Sequence, residues 1–182
     1  MRAIRSLLGL DSDPVRTQDD ADTATVRRIA RELDRMDPDE ARSLAAFAYV
    51  LARVANADLD VREEEVREME RIVAETGGLT SAQAALVVQI ARLQATRRGG
   101  TEDYLVTRQY RELSTREQRL GLIRCLFAIA AADASITQDE NAVISQIGNE
   151  LGLTPREVTA IRGGFREHLA ALRPTAAEKR RS

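Results

Sequence analysis

"LFAIAAADASITQDENAVISQIGNELGLT", residues 126–154, is the stretch whose reading decides the fold. It opens on an apolar run without glycine or proline that ends at Asp133. A short polar turn follows, and then Thr137 precedes Glu140 by three residues. That spacing predicts a capping box, in which the threonine oxygen accepts from a first-turn amide and the glutamate reaches back to the threonine amide. Ile144 and Ile147 then recur at helical spacing until Gly152, a residue suited to end a helix in a left-handed conformation. The stretch therefore reads as helix, turn, helix and stop.

The same arrangement occurs upstream in "ANADLDVREEE", residues 55–65. Aligning residues 45–77 with 120–152 at a constant offset pairs Leu51 with Leu126, Asp58 with Asp133, Glu65 with Glu140, Ile72 with Ile147, Glu75 with Glu150 and Gly77 with Gly152. After the glycine, "GLTSAQ" and "GLTPRE" match again once one inserted residue is allowed. Two copies of a helix-turn-helix unit can bury their apolar faces against each other, which predicts an internal pseudo-twofold repeat. Further capping boxes are expected at Asp37 with Glu40, Ser114 with Glu117 and Thr154 with Glu157, and a hydrophobic staple between Leu153 and Val158. The periodicity is helical almost throughout and no alternating strand is evident. It predicts helices near 22–36, 38–57, 62–76, 80–98, 102–113, 115–132, 138–151 and 155–172. The fold class is thus all-α, a single-domain bundle of about seven or eight helices. Phe47, Leu51, Val54, Met69, Ile72, Ile123, Leu126, Ile129, Ile144 and Ile147 are the expected core.

Composition agrees. The chain has 182 residues, 43% of them hydrophobic and 31% charged, which suits one globular domain and excludes wholesale disorder. Aromatic residues make up only 3%, so the core must be aliphatic. The domain is expected to span 22–172. Residues 1–20 form a flexible or amphipathic N-terminal segment, with weak membrane-surface contact by residues 1–10 as an alternative, and 173–182 form a disordered basic tail. No apolar run is long enough for a membrane span, and the basic start is too short and broken for a secretory signal. A single cysteine excludes an internal disulfide and fits a reducing cytoplasm.

An apolar helix ending in Ala-Ala-Asp, with an aliphatic residue three after the aspartate and a glutamate seven after it, resembles the tellurite-resistance TerB family. Residues 126–154 carry the resemblance closely and the first copy more weakly; together they cover roughly 38–170. The resemblance implies a compact all-α fold, and acidic residues proposed to bind metal; related domains occur in some DnaJ-type co-chaperones. One departure concerns the turn, where Leu59 and Ala134 stand in place of the family's usual glycine after the aspartate.

The residues themselves leave two readings of these acids open. Asp58 and Asp133 sit where a helix C-terminus is expected, where the helix dipole disfavours an anion by roughly 0.3–1 kcal/mol. A bound cation would resolve this, and Asp58, Glu65, Asp133 and Glu140 offer the hard oxygen ligands that Ca²⁺ or Mg²⁺ prefers. Asp60 and Glu64, with Ser135 and Asp139 in the second copy, are auxiliaries. Alternatively each aspartate caps its own turn, and Glu140 serves its capping box. The four acids are expected to converge on one surface region. An EF-hand is excluded, because its sixth position would be Glu63 or Gln138 rather than glycine.

Catalysis finds little support. His168 is the lone histidine, Cys125 lies in an apolar helix typical of a buried thiol, and neither a phosphate loop nor a zinc cluster is present. The net charge of −2 gives no steering to nucleic acid, and "LTPREV" lacks the recognition helix of LuxR-type DNA-binding domains. The sequence therefore predicts a non-enzymatic cytoplasmic module in tellurite or stress resistance that binds a divalent metal. The alternative is a metal-free helical adaptor whose acidic face docks a protein partner, among them other stress-resistance or membrane-associated proteins.

Overall fold

The computed structural model describes residues 19–54, 63–95, 102–132 and 135–169. Among them eight α-helices follow one another: α1 Asp19–Asp34, α2 Pro38–Ala52, α3 Glu63–Gly77, α4 Ser81–Ala95, α5 Glu102–Leu113, α6 Arg116–Ala132, α7 Gln138–Glu150 and α8 Pro155–Gly163. A 3-10 turn, Arg166–His168, closes the described chain. No helix among the described residues is long and apolar enough to cross a membrane. The all-α single-domain expectation holds, and most helix starts fall within a residue of their expected positions.

The largest departure is the last helix, which ends at Gly163 rather than near 172. Two successive glycines each cost roughly 1 kcal/mol in a helix interior. At Gly164 the amide turns to the Ile161 carbonyl at 3.0 Å and the chain leaves the helix.

Caps fix the remaining boundaries. Thr137 with Glu140 and Thr154 with Glu157 form complete capping boxes. Asp37 accepts from the amides of Asp39 and Glu40 at 2.9 and 3.4 Å, but the Glu40 carboxylate accepts instead from Gln83 Nε2 at 2.7 Å. The expected box of Ser114 with Glu117 is displaced by one residue. Thr115 receives the Gln118 amide and donates its own amide to Gln118 Oε1 at 2.8 Å, while Ser114 Oγ bonds back to the Tyr110 carbonyl. Thr80 and Gln83 make the same exchange at the start of α4.

The core lies around α2 and α6. Helix α2 buries Ala41 and every residue from 44 to 51, with α4 and α5 as its main neighbours. Helix α6 buries Leu122, Ile123, Cys125, Leu126 and Phe127 against α3, α7 and α8. Every residue of the expected core is buried except Met69, which is only partly covered at the edge. Alanines on α2 let neighbouring helices approach closely, so a core poor in aromatic rings still fills. Its ring pairs are Phe47 with Tyr110, edge to face at 5.8 Å, and Phe127 with Phe165, stacked at 5.7 Å.

Adjacent glycines at the end of α3 have separate tasks. Gly78 carries φ +70°, matching Gly152 at φ +72°, so Gly78 is the counterpart of the α7 stop. Gly77, which the constant offset pairs with Gly152, is instead a packing residue. A Cβ there would meet Cys125 Sγ at 3.1 Å and Phe47 Cζ at 3.3 Å. From the other side, a Cβ at Gly121 would meet the Gly77 carbonyl oxygen at 3.3 Å. The backbones of α3 and α6 therefore lie against each other here. The offset does align the first residues of α3 and α7, Glu63 and Gln138. The packing of the two units differs, because α6 and α7 touch each other whereas α2 and α3 lean chiefly on other helices.

Candidate functional site

The two acidic turns connect α2 to α3 and α6 to α7. Asp58 and Asp133 lie outside the described residues, as does Asp60; Glu65 and Glu140 lie within them. Both glutamates occupy the third position of their helix, after Glu63-Glu64 in α3 and after Gln138-Asp139 in α7. An anion in a first helical turn is favoured by the dipole and by the unpaired amides there. Glu65 is exposed, beside Glu63, Glu64 and Arg67. Glu140 is half-buried, and its Oε2 accepts from both the amide and the hydroxyl of Thr137 at 2.8 Å. The capping role read for Glu140 is thus real. Helix α3 lies on α4 and α6, while α7 lies on α5, α6 and α8, so α6 is the helix that both share. Among the described residues no group of three or more His, Cys, Asp or Glu stands close enough to hold a metal ion.

The second turn is held from both sides. Ile136, the aliphatic residue three after Asp133, is 1% exposed. Its amide donates to the His168 carbonyl at 2.6 Å, and Ile136 and Leu169 form an isolated parallel β-bridge. The far end of α7 closes as a Schellman motif. Gly152 N–H donates to the Asn149 carbonyl and Leu153 N–H to the Gly148 carbonyl, each at 3.0 Å. Arg119 Nη1 donates to the Leu151 carbonyl at 2.9 Å, and the Arg111 guanidinium lies against Gly152. Leu153 and Val158 are both 4% exposed, as the expected staple requires.

Sequence reasoning missed a largely buried ion pair. Arg53, at the C-cap of α2, donates from Nη1 to Glu150 Oε2 and to Thr107 Oγ1, both at 2.6 Å, with a longer bond from Nη2 to Oε1. The Arg53 and Glu150 side chains are only 10% and 9% exposed. Burial alone would raise the Glu150 carboxyl; bonds from Arg53, Gln146 and Thr107 outweigh it and hold the group below its ordinary range. The alignment equates Glu150 with Glu75, yet Glu75 pairs with Arg71 on the surface at 60% exposure. Only a three-dimensional neighbour, Arg53, distinguishes the two.

Other titrating groups are structural. Burial pushes the Cys125 thiol up to about 11, opposed by its bond with Thr76 Oγ1 at 2.9 Å. Burial likewise raises the Tyr110 hydroxyl. The Thr154 hydroxyl and amide hold Glu157 below its ordinary value, aided by Arg116.

Comparison with curated proteins and with solved structures returns no match. The family model described as "Tellurite resistance protein TerB" matches residues 43–163, from within α2 to the end of α8, so the chain belongs to the TerB family.

Proposed function

We propose that the chain is a cytoplasmic, non-enzymatic TerB-family module of tellurite or stress resistance that binds a divalent cation, Ca²⁺ or Mg²⁺, through Asp58, Glu65, Asp133 and Glu140. The observation that carries this reading is the matched placement of Glu65 and Glu140, each third in the helix that follows an acidic turn. All four donors are carboxylates, the hard oxygen set that such cations prefer. Glu140 gives Oε2 to its capping box, so Oε1 is the oxygen it would offer a cation. The two glutamates do not make a site alone, and Asp58 and Asp133 would have to complete it.

Calorimetric titration of chelator-treated protein with Ca²⁺, Mg²⁺, Zn²⁺ and Mn²⁺ tests the reading. A saturable isotherm with a hard cation is expected, together with a rise in melting temperature at saturation. Asp133→Asn should weaken binding while leaving the metal-free melt unchanged or higher, because it removes one of several repelling carboxylates. Flat titrations and unmoved melts with all four ions would end the proposal. A second reading, a metal-free adaptor that docks a protein partner on its acidic face, is favoured by the capping duty of Glu140 and would then stand.

A further inference from the structure

The β-bridge between Ile136 and Leu169 is an oddity in a helical molecule, and it concerns a segment that the family match, which ends at residue 163, does not include. After Gly163 and Gly164 the chain doubles back as a strap, residues 165–169, across the turn between α6 and α7. The strap is held at its two ends. Phe165 stacks on Phe127 with an interplanar angle of 21°, and Leu169 pairs with Ile136 while the His168 carbonyl accepts the Ile136 amide.

The two sides of this contact differ. Phe127 and Ile136 are core residues, 0% and 1% exposed beneath the strap. Phe165, His168 and Leu169 are each only half-buried, and Arg166 and Glu167 between them are exposed. The strap is joined to α8 through two glycines, and a Cβ at Gly163 would meet nothing within 4 Å. A buried acceptor surface is thus covered by a half-buried segment whose two apolar residues, Phe165 and Leu169, pack on the core.

We infer that the Ile136 edge is a peptide-docking site occupied internally by the strap, and that a partner segment of the same chemistry displaces it. The occupant in place defines that chemistry. It is an aromatic residue, a short polar turn and then an extended aliphatic residue whose preceding carbonyl takes the Ile136 amide, a minimal form of strand addition. The inference does not depend on cation binding.

The probe is a fluorescently labelled synthetic peptide, GFREHLA, copied from residues 164–170 and titrated into the full chain by polarisation. In the wild type the tethered strap competes and binding is weak. Phe165→Ala removes the ring stack, so the apparent affinity for the peptide should rise, by roughly tenfold for an aromatic pair of ordinary strength. Ile136→Pro in that background deletes the amide donor and should abolish the gain. Circular dichroism checks that each variant is folded. If Phe165→Ala is not folded, Leu169→Ser loosens the strap from its other end and takes its place. If Ile136→Pro is not folded, protection of the Ile136 amide from hydrogen exchange by the peptide replaces that arm. Peptide binding no tighter in the loosened variant than in the wild type overturns the inference. So does binding that survives loss of the Ile136 amide, or that leaves its exchange unchanged.

Discussion

A Cβ added at Gly148 would lie 2.6 Å from Val158 Cγ2, whereas one at Gly78 would meet nothing within 4 Å but would sit at φ +70°. The two glycines are therefore needed for different reasons, packing in one case and backbone conformation in the other. Gly148→Ala should gain about 1 kcal/mol in helix propensity and lose roughly 1–3 kcal/mol to overpacking. Val158→Ala should relieve that loss, so the pair will couple strongly in a thermal double-mutant cycle. Gly78→Ala should cost roughly 1–2 kcal/mol of left-handed strain and be additive with Val158→Ala. Strong coupling for Gly78, or none for Gly148, would reverse these assignments. The residue scale is also where sequence reading was weakest. "Gly77-Gly78" carries no mark of which glycine turns the chain and which admits Cys125, because both demands are met by the same missing side chain.

Helices were the most legible level, since the starts of α2, α4, α6, α7 and α8 are each written as a short oxygen side chain followed three residues later by a residue that can reach back. Two departures, at α4 and α6, share one cause. Gln118 and Gln83 close their boxes as well as glutamate does, so a pattern that requires glutamate places one box a residue early and omits the other. Apolar phase was equally clear along α6, and it carries a prediction. Leu126→Ala, at a site with no exposure, should cost roughly 2–5 kcal/mol in chemical denaturation. Met69→Ala, at the margin of α3, should cost only roughly 1 kcal/mol. Equal losses would mean that the edge of the core is drawn in the wrong place. Of the acidic turns, the following glutamates were legible and so was the duty of Glu140. Whether all four carboxylates meet depends on Asp58 and Asp133, outside the described residues.

Across the whole molecule, the Arg53–Glu150 pair fastens the end of α2 to the end of α7, with Thr107 of α5 between them. Long-range pairing of this kind leaves no periodic trace, which is why a sequence that reveals eight helices hides the charge that joins three of them. Removing Glu150 takes the carboxylate from a largely buried guanidinium, so Glu150→Ala should cost roughly 3–5 kcal/mol. Replacing both, as Arg53→Met with Glu150→Leu, should be close to neutral. The carboxyl is held below its ordinary value of 4.5 in the folded chain, so the pair contributes fully above that pH. Its contribution drains away as pH falls through the lower folded value. The double variant should therefore lose less stability than the wild type in acid melts below about pH 4.5; parallel acid limbs would refute the role given to Glu150.

Cys125 sits where α3 and α6 press together at Gly77 and Gly121, and it is the only sulfur of its kind in the chain. A labelling reagent can reach it only after those two helices part, and its high protonation threshold keeps it unreactive until then. The chain thus carries its own clock for opening, with no engineered probe. Under mild conditions the labelling rate, divided by that of a free thiol, reads the fraction of molecules in which the α3–α6 seam stands open. A ligand that grips only the closed form will slow that clock in proportion to its occupancy, whichever surface it binds.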